Sequence, residues 1–241
     1  MIIISSVSNM LAESVVAVFL LGWLGCFFSV NLHSIAKGQK LRRGVKVYAE
    51  VERPADFAMC LAVFGTVVYF LEVLSYLFLV FAGLTSVLHD SPFIFRFPFA
   101  SYMQILGLIL TSAGYFVLIW SAVARGKYSV SWEMPENQRL VTWGPYRHVR
   151  HPSYLGYFLM FLGLFFTWPN LFTLFPLAAI PGYYRLTFDE EKLLVQRFGE
   201  EYAEYQNRTG RFIPKFRKSY SRKPESCREI VRVGSLQTLL F

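Results

Sequence analysis

Charged residues are scarce in this sequence of 241 residues. They make up only 17% of the chain, whereas 54% of the residues are hydrophobic and 18% are aromatic. Ordinary soluble domains contain about 25% charged residues. So apolar a chain is not intrinsically disordered, and its low charge argues against a typical soluble enzyme. The composition therefore predicts an integral membrane protein.

Cysteine is also scarce, and the N-terminus lacks basic residues. The three cysteines, Cys26, Cys60 and Cys227, form no Cys-x-x-Cys pair, and two of them lie in apolar runs. We therefore expect neither a disulfide framework nor a metal site. The first ten residues contain no Lys or Arg, so the basic start that is typical of a secretory signal is missing.

Five apolar segments predict an all-α bundle of about five membrane helices. A helix needs about 20 apolar residues to span a bilayer. Three segments are long enough, namely 10–32, 57–88 and 102–124. Two shorter segments, 152–167 and 171–184, flank the turn signal Trp168-Pro169-Asn170 and predict a helical hairpin.

Prolines and one acid add detail to these helices. Pro152 suits the first position of a helix, where its missing N–H has no intrahelical partner in any case. Pro176 and Pro181 predict a kink in the second arm of the hairpin. Glu72, the single charge in its segment, is expected to face the bundle interior in a structural role.

The net charge of +8 is distributed unevenly along the chain. Of 24 Lys and Arg residues, all but Arg96 fall on the alternate loops 33–56, 125–152 and 185–241. Such a bias places the N-terminus outside and the C-terminus in the cytoplasm, in the endoplasmic reticulum or plasma membrane. We therefore predict contact with membrane lipid and no nucleic-acid partner. The Asn207-Arg208-Thr209 sequon would then escape glycosylation.

Polar residues concentrate around the start of the fourth apolar segment. The run from Leu140 to Gly156 contains two histidines, two arginines and two tyrosines within nine residues. Gly144-Pro145 predicts a turn, and His151-Pro152 opens a helix whose free N–H groups suit an anion. The alternative interpretation is a basic loop that grips phospholipid headgroups.

A second polar cluster follows the fifth apolar segment. The consecutive acids Asp189, Glu190 and Glu191 indicate either a solvated helix face or a site for a cation or ribose hydroxyls. After them an aromatic and aliphatic stripe at helical spacing predicts an amphipathic helix, and we interpret the stripe as packing. Its members are Leu194, Phe198, Tyr202 and Tyr205.

Taken together, these segments resemble the isoprenylcysteine carboxyl methyltransferase family and its bacterial and archaeal relatives. The matching elements are L-V-T-x-G-P-Y-R-H-V-R-H-P-S-Y-L-G, the short hairpin, E-E-K-L-L, F-G-E-E-Y-A-E-Y and a closing F-I-P. They cover about residues 125–216. The resemblance implies three N-terminal membrane helices in residues 1–124, a catalytic region in 125–216 and a basic tail in 217–241.

The resemblance also implies the chemistry. Members of this family bind S-adenosylmethionine at the cytoplasmic face and methylate a lipophilic substrate, in eukaryotes the carboxylate of a prenylated C-terminal cysteine that enters from the bilayer. Carried over by position, the cofactor-binding residues are Leu140, Val141, Tyr146, His151, Pro152, Ser153, Tyr154, Glu190 and Glu191. Glu190 is in addition a candidate catalytic residue.

The chain departs from the family pattern at one arginine. Relatives commonly carry an arginine four residues before the first glutamate, where this chain has Leu186. Arg185 is the candidate catalytic residue for holding the substrate carboxylate, although it lies about 100° around the helix from that position. Arg147 and Arg150 are the alternatives.

Other functions stay open at this point. A phospholipid amine is an alternative methyl acceptor, and Glu190 or His151 would then assist its deprotonation. A nicotinamide-dependent sterol or enone reductase shares the R-H-P-x-Y-x-G element, but the E-E-K-L-L and F-G-E-E-Y elements argue against it. A lipid-binding scaffold without catalytic activity is the third possibility, and the sequence does not indicate the oligomeric state.

Overall fold

A computed structural model describes residues 11–42, 47–50, 56–126, 133–135 and 139–215. The predicted tail 217–241 lies outside these residues. The fold is all-α apart from one antiparallel strand pair that the sequence analysis did not predict, β1 Val47–Glu50 with β2 Glu133–Pro135. The helices are α1 Glu13–Arg42, α2 Phe57–Phe81, α3 Thr85–Asp90, α4 Ala100–Arg125, α5 Pro152–Thr167, α6 Ala179–Phe198 and α7 Glu200–Arg208.

Three helices in the described part of the chain are long and apolar enough to cross a membrane. They correspond to α1, α2 and α4, and α5 is a shorter apolar helix. Large apolar side chains on their outer faces are exposed, among them Val18, Phe78 and Ile109. Outward-facing apolar side chains on long helices are what a lipid environment favours. Whether α5 and α6 cross the membrane stays a prediction.

Two predicted segments end differently in the structure. The apolar run 57–88 is not one helix, because α2 ends at Phe81 and Gly83 adopts a positive φ of 72° before α3 begins. The second arm of the hairpin begins with two 3-10 turns, Phe172–Leu174 and Pro176–Ala178, and its α-helix starts only at Ala179.

Pro181 lies at the start of the α-helix in the second arm and not in its interior. Pro181 is the third residue of α6, and N–H groups in the first turn of a helix have no intrahelical acceptor. The ring removes no hydrogen bond there, so α6 needs no kink to accommodate it. The register of the helix consequently runs unbroken from Ala179 through the acidic cluster to Phe198.

The predicted amphipathic helix is also divided. Gly199 has a φ of 53°, in the left-handed region that favours glycine, and it ends α6 and precedes α7. Phe198 therefore belongs to α6, whereas Tyr202 and Tyr205 belong to α7. After the turn at Gly199, α7 contacts the segment before α5, where the Tyr205 hydroxyl donates to Tyr146 O.

Glycines allow the central helices to approach closely. A Cβ at Gly114 of α4 would lie 2.7 Å from the carbonyl oxygen of Gly156 in α5, and a Cβ at Gly156 would lie 2.9 Å from the oxygen of Gly114. Small residues permit such close packing between membrane helices. Around this contact the buried side chains of Tyr69, Tyr115 and Phe161 form the core.

Candidate active site

A cavity of about 440 Å³ opens at one end of the bundle, where α1, α4 and α6 end and α2 and α5 begin. Its wall includes side chains from α1, α2, α4, α5, α6 and α7 and from the segment 139–151. The charge distribution predicts that this end faces the cytoplasm. A second cavity of about 260 Å³ lies at the opposite end and is lined by Glu72, Trp168 and Asn170 among others.

The structure brings most of the predicted cofactor residues together at the larger cavity. Those that line it are Leu140, Val141, Tyr146, His151, Ser153, Tyr154 and Glu190. Pro152 is buried as the first residue of α5, and Glu191 is buried in α6 against Arg150 and His151. Neither of these two side chains lines the cavity.

His151 lies between two consecutive carboxylates of α6. Its Nδ1 is 3.5 Å from Glu190 Oε2, and its Nε2 is 3.1 Å from Glu191 Oε1. The imidazole is buried and stacks on the Tyr154 ring at a centroid distance of 5.7 Å. Burial lowers the pKa of His151, but hydrogen bonds to both glutamates outweigh burial and leave that pKa above its usual value.

Glu191 is the centre of a buried ion-pair network. Its Oε1 accepts from Arg150 Nε at 2.8 Å, and its Oε2 accepts from Arg211 Nη2 at 2.8 Å and from Gln206 Nε2 at 3.1 Å. Burial raises the pKa of Glu191, but bonds from its histidine and arginine partners hold that pKa well below the usual range.

Arg150 also donates hydrogen bonds to the end of α7 and to the chain that follows it. One of its terminal nitrogens, Nη1, donates to the carbonyl oxygens of Gln206 and Thr209, and its backbone N–H donates to Gly210 O at 2.9 Å. The Glu191 network thereby joins the segment before α5, the end of α6 and the chain after α7. These contacts identify Glu191 as a residue that positions the cavity wall.

Glu190 faces the cavity next to a group of tyrosines. Its Oε1 accepts a short hydrogen bond from the Tyr154 hydroxyl. The ring of Tyr183 lies 4.7 Å from that of Tyr154 and 5.4 Å from that of Tyr157. One carboxylate and several aromatic faces on a cavity wall favour a cationic group.

The arginines suggested by the sequence are placed elsewhere. The Arg185 side chain is 55% exposed, does not line the cavity and pairs with Asp189 at 3.5 Å. Leu186, which is 2% exposed, lines the cavity in its place. Arg147 is exposed, and Arg150 is engaged by Glu191. The unbroken register of α6 explains why Arg185 faces outward.

Three residues of the cavity wall were not predicted from the sequence. Tyr202 and Tyr205, interpreted as packing residues, line the cavity, and the Tyr205 hydroxyl donates to Tyr146 O at 2.7 Å. Arg125, the last residue of α4, also lines it. The aromatic spacing was a visible signal for the tyrosines, but the sequence contains no motif around Arg125.

The residues present fit a nucleoside cofactor that carries both signs of charge. The hydroxyl of Tyr202 is buried without a hydrogen-bond partner among the described residues, so a polar ligand in the cavity would satisfy it. The first N–H groups of α5 have no intrahelical acceptor and suit a carboxylate. Glu190 suits a cation, and the apolar wall suits a ring; this wall comprises Leu140, Leu193, Leu194 and Phe198.

Comparisons with known proteins point to the same chemistry. The phospholipid methyltransferase family model matches residues 102–201. The protein-S-isoprenylcysteine O-methyltransferase of Schizosaccharomyces pombe is 30% identical over 139 residues, which cover 56% of this chain and 58% of that protein. The Saccharomyces cerevisiae protein of the same name is 31% identical over 132 residues, covering 50% of this chain and 53% of that protein.

An insect relative shows the same pattern over a shorter region. The Tribolium castaneum protein-S-isoprenylcysteine O-methyltransferase is 31% identical over 112 residues, covering 46% of this chain and 38% of that protein. The matches thus span less than two thirds of each relative. Over this shared region the predicted resemblance to the isoprenylcysteine carboxyl methyltransferases is confirmed.

Proposed function

We propose that this chain is a multi-pass membrane methyltransferase that uses S-adenosylmethionine and acts on a lipophilic acceptor. The reaction we favour is carboxyl O-methylation of a prenylated C-terminal cysteine or a similar lipid acid. In this proposal the N-terminus lies outside, and the cavity and C-terminus face the cytoplasm. The relatives named above support the activity, since they are named for this reaction.

The observation that carries the proposal is the continuity of the cavity with the lipid-facing surface. Val63 of α2 lines the cavity, is 53% exposed and continues the exposed apolar stripe of Val67 and Leu71. Phe27 and Met59 add apolar wall on the same side, from α1 and α2. An acceptor with a hydrocarbon chain can therefore lie between lipid and the polar wall that contains His151 and Glu190 without exposing that chain to water.

The proposed roles of the chain's residues follow from their places in the wall. The N–H groups at the start of α5, at Ser153 and Tyr154, would hold the cofactor's carboxylate. Glu190, oriented by the Tyr154 hydroxyl, would favour its positive charge. Ser153 is itself fixed, because its hydroxyl lies 2.8 Å from that of Ser121.

The proposed reaction requires no proton transfer by these residues. When bound, S-adenosylmethionine supplies a methyl group on a sulfonium; a carboxylate oxygen bonds to the methyl carbon as the carbon–sulfur bond breaks, and that electron pair stays on sulfur. A carboxylate is already ionised near pH 7, so no general base is needed. The wall contributes alignment and excludes water.

An amine acceptor is the second candidate within the same enzyme class. The family model described as phospholipid methyltransferase favours it, and so do the rings of Tyr154, Tyr157 and Tyr183, whose faces suit an ammonium. An ammonium must lose a proton before it attacks carbon. Glu190 or His151 would take that proton.

A methyl-transfer assay distinguishes the acceptors. The purified full chain is incubated with S-adenosylmethionine labelled in its methyl group and with either farnesylated cysteine or phosphatidylethanolamine. We expect label in the farnesylated product, and we expect base to release it as methanol because the product is an ester. Label that resists base and appears only with phosphatidylethanolamine would replace the carboxyl proposal with the amine one. No transfer to either acceptor would contradict both.

A further inference from the structure

The cavity face of α6 offers no partner for an acceptor carboxylate. Leu186, where the resemblance led us to expect an arginine, lies buried in the cavity wall. The part of α6 that lines the cavity provides Tyr183, Leu186, Glu190, Leu193, Leu194 and Phe198, with no basic side chain. If a carboxylate binds here, its positive partner must come from another element.

Among the described residues, three arginines line the cavity, and two of them are unsuitable. Arg150 is committed to Glu191 and to two backbone carbonyls, so releasing it would leave a buried carboxylate without its partner. Arg139 is exposed, so water would weaken any ion pair that it makes. The remaining arginine is Arg125, at the end of α4.

Arg125 has the properties of a residue that awaits an anionic ligand. Its Nε is buried and has no hydrogen-bond partner among the described residues, a state that costs free energy until a ligand supplies an acceptor. It lines the same cavity as Tyr154, Tyr157 and Glu190. A guanidinium binds a carboxylate through two parallel N–H donors and keeps its charge under all ordinary conditions.

We propose that Arg125 binds the reacting carboxylate of the acceptor and thereby replaces the arginine that α6 lacks. This inference rests on the proposed function, and it makes the cavity selective for acids over amines. One carboxylate oxygen is held by Arg125 while the other stays free to attack. The arginine and Glu190 then divide the wall into a part for the anion and a part for the cation.

The test separates acceptor binding from cofactor binding. Arg125→Ala should raise the KM for farnesylated cysteine about 30-fold or more, because a buried charge pair is truncated. The dissociation constant for S-adenosylhomocysteine should change by no more than about twofold, which is a small free-energy difference. Arg125→Lys should recover part of the loss, since an ammonium keeps the charge but not the paired donors. Arg208→Ala, on an exposed position of α7, is the matched control.

Each outcome bears on a separate claim. If Arg125→Ala and Arg125→Lys both keep the wild-type KM, or if Arg185→Ala causes the loss instead, the Arg125 inference is overturned. A selective loss of phosphatidylethanolamine methylation in Arg125→Ala would overturn it as well, since the anion held would then be a phosphate. Should Arg125→Ala fail to fold, the KM of Arg125→Lys decides. A wild-type chain that neither binds S-adenosylhomocysteine nor transfers methyl groups would refute the proposed function itself.

Discussion

The two ends of the helical bundle use polar side chains differently. At the end opposite the cavity, His89 Nε2 lies 2.5 Å from Glu13 Oε1, and these side chains are 43% and 35% exposed. Nearby, Asn170 Oδ1 accepts from the N–H groups of Phe172 and Thr173, which closes a local turn. At the cavity end, the Glu191 side chain is only 7% exposed and binds residues from distant parts of the chain.

This difference shows where the fold depends on charge. A half-exposed pair competes with water and contributes little, whereas a buried carboxylate must keep its partners. The opposite end is accordingly held by apolar packing and short turns, and the cavity end is held by one carboxylate with its arginines and histidine. The comparison predicts unequal effects of matched substitutions at the two ends.

The largest effect on stability is expected for Glu191→Gln. The variant leaves Arg150 buried without its carboxylate, which costs on the order of 3 kcal/mol. For a chain of this size the melting temperature would fall by roughly 6–12 °C. Thermal unfolding in detergent measures the melting temperature of this variant. Glu204→Gln, on the exposed face of α7, is the control. Equal melting temperatures for the two variants would contradict the claim that Glu191 stabilises the cavity end.

A smaller loss of stability is expected when the α4–α5 contact is disturbed. In Gly114→Ala the new Cβ would meet the Gly156 carbonyl oxygen and Met160, so the helices must separate at a cost of about 1–3 kcal/mol. Gly22→Ala is the matched control, because a Cβ there meets nothing within 4 Å. The same thermal unfolding assay compares them. A Gly114→Ala chain as stable as Gly22→Ala would show that the two helices are not in such close contact.

Glu190→Gln tests the charge of the cavity wall. It removes a negative charge next to the proposed cationic cofactor, so the affinity for S-adenosylmethionine should fall about tenfold, or about 1.4 kcal/mol. The affinity for S-adenosylhomocysteine, which lacks the positive charge on sulfur, should fall less. Asp189→Asn is the control, since the Asp189 side chain does not line the cavity. Equal losses for both ligands would mean that Glu190 does not act through its charge.

The pH dependence of stability reports on His151. Its pKa is raised in the folded chain, so its stabilising contribution is fully present below its unfolded pKa of about 6.5. That contribution is lost as the pH rises through the folded pKa. His151→Asn should therefore lower the melting temperature more at pH 6 than at pH 9, whereas His148→Asn, at an exposed position, should show no such difference. A difference that grows with pH would give the opposite sign and contradict the assignment.

The smallest effect is expected at the opposite end. His89→Asn removes a half-exposed pair with Glu13 and should cost less than about 1 kcal/mol. Affinity for S-adenosylhomocysteine should be unchanged, because this pair lies at the end away from the cavity. A loss of ligand affinity in this variant would show that the two ends are coupled, and the comparison would no longer hold.

The sequence was sufficient for the long helices but not for their ends. Hydropathy located α1, α2 and α4 because lipid-facing helices are continuously apolar. It could not show that Gly83 interrupts the run after Phe81 or that Gly199 divides the amphipathic segment, since both depend on backbone conformation. Nor could it show that Pro181 lies in the first turn of α6, because the start of that helix was not visible in the sequence.

The candidate site, like the fold, could be predicted from the sequence only in part. Motif resemblance located several residues that line the cavity, including His151, Ser153 and Glu190, because each belongs to a short motif. It did not separate Glu190 from Glu191, since adjacent helical residues differ by about 100° in direction and only the packed structure shows which one faces the cavity. Arg211 was missed because only the folded chain brings it to Glu191, and Arg125 was missed because no motif surrounds it in the sequence.

The most direct test of the central claim is the binding of S-adenosylhomocysteine to the purified full chain, measured by isothermal titration calorimetry alongside the reduced nicotinamide dinucleotide phosphate. The cavity described here predicts saturable binding of S-adenosylhomocysteine with one site per chain, and no binding of the nicotinamide. Binding of the nicotinamide with no heat from S-adenosylhomocysteine at millimolar concentration would contradict the methyltransferase account and favour a membrane reductase.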